Sequence, residues 1–224
     1  MKVLIVVDPQ NDFVKPNGNL AIPNAELAIP NINKLLTSNK FDYKIITQDW
    51  HPENHVSFAK THGAELFTQK ETLQGAGSKA GIKTINQVMW PNHCIAGTTG
   101  AEIHENILEK EANAIFRKGH ISDRECYSVF EFVYPFDNQE VFGDEYITPH
   151  FYTMDGLKAD EIYICGYAGD FCCQATAISA TRLTDKIFFI KDAMGWVDNN
   201  NEANTYTKLL QTGKINIIKT EEAL

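Results

Sequence analysis

The stretch Glu161-Ile-Tyr-Ile-Cys165-Gly-Tyr-Ala-Gly-Asp170-Phe-Cys-Cys-Gln-Ala-Thr-Ala177 decides the fold. Ile162–Cys165 reads as a short buried strand, Gly166–Asp170 as a turn and Phe171–Leu183 as a helix. A thiol at Cys172, in the first turn of that helix, would face unpaired backbone N–H groups and the positive end of the helix dipole. Both favour thiolate over thiol. The same N–H groups can hold an oxyanion when the sulfur attacks a carbonyl. Taken alone, Cys172 reads equally well as a buried structural cysteine.

Outward from this stretch the alternation repeats. Val3–Val7, Tyr43–Thr47, Ala114–Arg117, Ile187–Ile190 and Ile215–Ile218 read as further short buried strands. Helical segments lie between them: Ile29–Leu36 with Pro30 in its first turn, Ala101–Glu109 with apolar residues at helical spacing, and Glu202–Thr212 ending at Gly213. Strands alternating with helices predict βαβ units. The fold class is therefore α/β: a doubly wound, Rossmann-like, mostly parallel six-stranded sheet with helices on both faces. At 224 residues the chain suits one such domain, 1–224, and is short for two.

Composition narrows the function. A formal charge of −9 argues against a nucleic-acid groove or an anionic membrane surface and favours a small neutral or cationic substrate. The five cysteines (Cys94, Cys126, Cys165, Cys172 and Cys173) are odd in number and follow no paired spacing, so reduced thiols are expected. No apolar run reaches membrane-spanning length. Val3–Val7 is too short for a signal-peptide core and stops at Asp8, which predicts an untargeted, cytoplasmic protein.

Chemically capable residues follow four of the strands. Asp8 follows the first, Asp49 and His51 the second, Lys118 the third and Cys172 the fourth. In a doubly wound sheet the carboxyl ends of the strands share one edge, where ligands bind at the switch point. In a first group, Asp8 can accept the thiol proton of Cys172, while Lys118 can pair with both anions. Singly, Asp8 also reads as a turn carboxylate and Lys118 as a surface charge. In a second group, Asp49 and His51 lie two apart on an extended segment and point the same way, with His93 of Trp90-Pro-Asn-His-Cys94 as a third ligand for one ion. Three N/O ligands leave positions open, as a catalytic or substrate-binding metal requires. Zn²⁺ suits this set best, with Fe²⁺ and Mn²⁺ compatible; His55 ranks below the other three ligands. A third group, Phe13, Trp90 and Tyr127, offers flat walls for a planar ring, or ordinary core packing. The long segments after Thr47 and after Gly119 are expected to roof the pocket; the acidic stretch Glu131–Asp155 has no residue-by-residue reading.

Taken together, these stretches resemble the nicotinamidases (pyrazinamidases) of the isochorismatase-like cysteine hydrolase superfamily. The resemblance rests on Val7-Asp-Pro-Gln-Asn-Asp-Phe13, Thr47-Gln-Asp-Trp-His-Pro52, Asn54-His-Val-Ser-Phe58, Trp90-Pro-Asn-His-Cys94, Lys118-Gly119, Tyr127-Ser128 and Gly166-Tyr-Ala-Gly-Asp-Phe-Cys172, in the family's order. It implies Asp8, Lys118 and Cys172 as a catalytic triad. It further implies a divalent metal on Asp49, His51 and His93 touching a pyridine nitrogen, Phe13 stacked on the ring, and an oxyanion hole from the backbone N–H groups of Ala168 and Cys172, with a cis peptide between Tyr167 and Ala168. The substrates implied are nicotinamide and pyrazinamide, in NAD salvage; a homo-oligomer is compatible. Gly169 stands where many members carry Thr, which would loosen the turn, and Cys173 offers a second thiol. The rival readings are hydrolysis of another small amide or carbamoyl compound, or a non-catalytic ligand-binding relative on the same fold.

Overall fold

Six short strands form one sheet in a computed structural model that describes residues 1–75, 82–131 and 158–224. In chain order the strands and α-helices are β1 (Lys2–Val7), α1 (Asn11–Val14), α2 (Ile29–Thr37), β2 (Tyr43–Asp49), α3 (Ala59–His62), β3 (Gln69–Gln74), β4 (Lys83–Val88), β5 (Ala114–Lys118), β6 (Glu161–Gly166), α4 (Gln174–Ala180), β7 (Ile187–Met194), α5 (Glu202–Leu210), β8 (Ile215–Ile218) and α6 (Thr220–Ala223). The large sheet has the order β5-β2-β1-β6-β7-β8, and its neighbours all pair in parallel.

Val3 to Val7 are fully buried because β1 is central and covered on both faces. Helix α2 turns Ile29, Ile32, Leu35 and Leu36 inward, with Pro30 in its first turn where no N–H is missed. It packs on β1, β7 and α6, while α4 and α5 form a second pair against β6, β7 and β8. Truncating a fully buried residue of α2 such as Leu35 to Ala would cost about 2–5 kcal/mol. The chain winds outward from β1 to β2 and β5 on one side and to β6, β7 and β8 on the other. The switch point therefore lies above the carboxyl ends of β1 and β6.

Three local features depart from the sequence reading. Ala101–Glu109 is not an α-helix: 3₁₀ turns occupy Thr99–Ala101 and Glu109–Glu111. Of the residues between them, Glu102–His104 run against the segment after β1, where Asn11 N donates to Glu102 O, His104 N donates to Pro9 O, and Gln10 bridges Ile103, and the chain then turns at 105–107. Tertiary pairing outweighs helical spacing there. Second, the helix expected from Phe171 begins instead as a π-type turn, Gly169–Cys173, and becomes α-helical only at Gln174. Third, an antiparallel pair, β3 with β4, was not anticipated. The stretch 132–155, for which the sequence offers no reading, lies outside the described residues.

Candidate active site

The carboxyl ends of β1, β2, β5 and β6 converge, and with them Asp8, Asp49, Lys118 and Cys172, all buried. The Lys118 Nζ is the hub. It lies 2.8 Å from Asp8 Oδ2 and 3.3 Å from Cys172 Sγ, and it also donates to Asp49 Oδ1. In sequence the nucleophile group and the metal group stand apart; Lys118 joins them into one charge cluster.

Each member is fixed locally. Asp8 leaves β1 in a left-handed conformation, φ 46°, which Asp tolerates better than most residues. Its N–H donates to Thr47 Oγ1 (3.0 Å), and that hydroxyl donates back to Asp8 Oδ1 (2.6 Å). Oδ2, the oxygen nearest Lys118, takes no hydrogen bond of ordinary geometry among the described residues. Cys172 occupies the π-type turn, closed by Phe171 N and Cys173 N both donating to Ala168 O. The Tyr167–Ala168 peptide bond is cis.

Burial dominates the titration of these groups. It pushes the Asp8 carboxyl up to about 6, against the downward pull of Lys118. It also pushes the Cys172 thiol well above its ordinary value against the downward pull of Lys118, opposite to the direction a first α-turn would favour. Asp49 is equally buried, yet Lys118 and the two histidines outweigh that effect and hold its carboxyl far below the usual range. Lys118, facing Asp49 and Asp8, is raised well above an ordinary lysine. The site is thus a protonated cation among acids of unequal strength.

Beside this cluster, Asp49 Oδ2 lies 3.5 Å from His51 Nε2 and 4.0 Å from His93 Nε2. The His51 Nδ1 lies 2.8 Å from Gly119 O, and the His93 Nδ1 2.8 Å from Pro91 O. Each carbonyl can only accept, so both imidazoles carry their proton on Nδ1 and turn Nε2 toward Asp49. Gly119, at φ 67°, is required here: a Cβ would strike the His51 ring. Burial would lower the His51 pKa, but Asp49 more than offsets it and raises it; burial, and after it the neighbouring His51, takes His93 down to about 4. The three donor atoms lie within 4.8 Å of one another. Two oriented imidazoles and an ionised carboxylate fit a divalent ion.

His55 is differently placed. Its Nδ1 accepts from Ser57 Oγ (2.7 Å), its Nε2 donates to Arg124 O (2.9 Å), and burial takes its pKa down to about 3. Both ring nitrogens are already engaged. Phe13 lies 5.4 Å from the His93 ring, centroid to centroid. Trp90 Nε1 donates to Tyr127 Oη (2.9 Å), and its ring meets Phe171, the neighbour of Cys172, edge-on at 4.8 Å.

Two residues that sequence reasoning missed hold this arrangement. The Gln10 amide clamps the Asp49 main chain: Nε2 donates to Asp49 O and Oε1 accepts from Asp49 N, both at 2.7 Å. Asp12 Oδ2 accepts from Cys94 N at 2.7 Å, beside His93, at a left-handed residue of φ 45°. Both lie in the Val7–Phe13 run that carries the resemblance, but neither has a chemical signal of its own there.

A model of the isochorismatase domain matches residues 2–222. A nicotinamidase of Acinetobacter baylyi is 37% identical over 94% of this chain and 89% of its own length. The nicotinamidase of Saccharomyces cerevisiae is 33% identical over 97% and 99%. A solved structure of the yeast enzyme bound to the inhibitor nicotinaldehyde superposes with a TM-score of 0.79 at 30% identity, covering 98% of this chain and all of the other. The pyrazinamidase of Pyrococcus horikoshii, solved in complex with zinc, has a TM-score of 0.68 at 28% identity, over 97% and 98%.

Proposed function

The chain belongs to the isochorismatase family, and from that premise we propose that it is an amidohydrolase converting nicotinamide to nicotinate and ammonia, with pyrazinamide as a second substrate. The observation that carries the reading is the three-way contact of Lys118 with Asp8, Asp49 and Cys172. Nicotinamidase relatives at 33% and 37% identity support the choice of substrate.

Asp8 Oδ2 takes the proton from Cys172 Sγ, and the sulfur attacks the carboxamide carbon. Lys118 holds the transient charge on sulfur while remaining paired to Asp49. The C=O electrons move onto oxygen, where the Ala168 and Cys172 N–H groups stabilise them. Protonated Asp8 passes its proton to the amide nitrogen, the C–N bond breaks, and ammonia leaves a thioester on Cys172. Water then attacks the thioester carbon as Asp8 takes its proton; nicotinate departs and Sγ recovers the proton.

Phe13, Trp90 and Tyr127 line the ring's position. Asp49, His51 and His93 would hold the divalent ion, zinc by analogy with the Pyrococcus relative. When bound, such an ion supplies a Lewis-acid contact to the ring nitrogen, which orients the carboxamide toward Cys172. The test is ammonia release from nicotinamide before and after chelation and metal replacement. Full activity in verified metal-free protein would remove the metal from the reading, and no ammonia from metal-loaded protein would remove the substrate.

A further inference from the structure

The turn that carries Cys172 and the Ala168 N–H is braced by the segment after β7. Gly169 N donates to Gly195 O (2.7 Å), and Gly195 N donates to Gly166 O (3.0 Å). Asp170 Oδ1 accepts from Val197 N, and its Oδ2 from Asp198 N, both at 3.1 Å. Between these bonds sits Trp196, only 5% exposed, its indole edge-on to Tyr206 at 5.6 Å and 6.3 Å from Phe189. A Cβ on Gly169 would lie 2.9 Å from three atoms of that indole, and one on Gly195 would lie 2.6 Å from the Tyr167 ring. Gly169, where the sequence leads one to expect a looser turn, thus lies packed under that indole. The space a side chain would take is filled by Trp196.

A glycine has no Cβ to limit its own backbone, so restraint at 169 has to come from outside. We propose that Trp196 is a positioning residue: seated on Gly169, its indole fixes the turn that aims the Ala168 and Cys172 N–H groups at the developing oxyanion. The inference rests on the reading of Cys172 as the nucleophile of an amide hydrolase. Oxyanion donors act only when placed beforehand, and one lost donor costs about 10²–10³ in turnover. A loosened turn therefore shows in kcat and in affinity for tetrahedral adducts. Binding of planar ground-state ligands is left alone.

The experiment compares wild type with Trp196→Phe, Gly169→Ala and the double variant, all metal-loaded. It measures kcat and KM for nicotinamide and inhibition constants for nicotinaldehyde, whose aldehyde carbon can add the thiol, and for nicotinate. Trp196→Phe is expected to lower kcat and weaken nicotinaldehyde by a common factor of about ten, with KM and the nicotinate constant within twofold. Gly169→Ala pushes a methyl into the indole and lowers kcat further. The smaller ring of Trp196→Phe should relieve it, so the double variant loses less than the product of the single losses. Unchanged kcat in Trp196→Phe overturns the inference, as does equal weakening of nicotinate and nicotinaldehyde, which would make the ring a support of the pocket alone. A wild type that neither releases ammonia nor forms the aldehyde adduct on Cys172 overturns the functional reading as well, and is distinguished by appearing before any substitution.

Discussion

Asp8 must be ionised to take a proton, yet burial holds its carboxyl up to about 6. Its charged form predominates only above that value, so kcat/KM for nicotinamide is expected to rise with pH through about 6 and then level off. A pH–rate profile flat from pH 5 to 7 would sink Asp8 as the base. Lys118 is the second test at this scale. Lys118→Ala strands two buried carboxylates, which costs about 3–5 kcal/mol of stability. It should also slow alkylation of Cys172 by iodoacetamide at neutral pH, with recovery at higher pH, because the cation is what opposes burial at the thiol. Lys118→Arg should not restore turnover, since a planar fork cannot meet three partners converging on one nitrogen. Coincident alkylation profiles for wild type and Lys118→Ala would leave Lys118 only a structural role. Cys173 is fully buried. Cys172→Ala should abolish ammonia release while Cys173→Ala costs about 1 kcal/mol of stability; an acyl group trapped on Cys173 by mass spectrometry would reverse the assignment.

At the scale of elements, the loops after β2 and β4 divide the histidines by hydrogen bonding. His93→Ala should reduce metal content and nicotinamide affinity together. His55→Ala should leave metal stoichiometry intact but lower the melting temperature, because Ser57 Oγ and Arg124 O lose their partner at about 1–3 kcal/mol for each group stranded. Metal analysis of both variants decides between ligand and strut. Gln10→Ala and Asp12→Ala, which free the backbones of Asp49 and Cys94, should weaken metal binding about 10–100-fold. The sequence exposed the residues whose chemistry belongs to them alone: Asp8, Asp49, Lys118 and Cys172 each stand just past or at the end of a recognisable strand. Gln10, Thr47 and Asp12 act by bonding groups 39 or 82 residues away, a relation with no local periodicity. The extended run at Glu102–His104 was hidden for the same reason, its partner being the segment after β1. The β3–β4 pair escaped because Gln69–Gln74 and Lys83–Val88 are largely polar, without the apolar alternation that marks a half-buried strand. The π-type turn was illegible because its hold comes from residues 195–198, beyond the next strand.

For the whole molecule, an ion that binds the folded cluster and not the unfolded chain must raise stability, by about 2.7 kcal/mol at one hundred times its dissociation constant. Thermal melting with added Zn²⁺ and with chelator should therefore move in opposite directions, and Asp49→Ala should abolish the difference. Identical melting under both conditions would count against Asp49, His51 and His93 as a metal site. The parallel sheet makes this linkage global, since Asp49 ends β2 and the cluster also ties down the ends of β1, β5 and β6. One detail there sets a limit on descent. Asp49 turns one oxygen to the Lys118 ammonium and the other to the histidines. If the two histidines hold an ion as proposed, a lineage that gave it up for another way of holding its substrate could shed His51 and His93, but the acid at 49 would stay behind as counter-charge to the lysine. Recognition and reactivity are in this sense heritable as a unit at one position, and a sequence with the acid but neither histidine would mark a metal-independent descendant of this site.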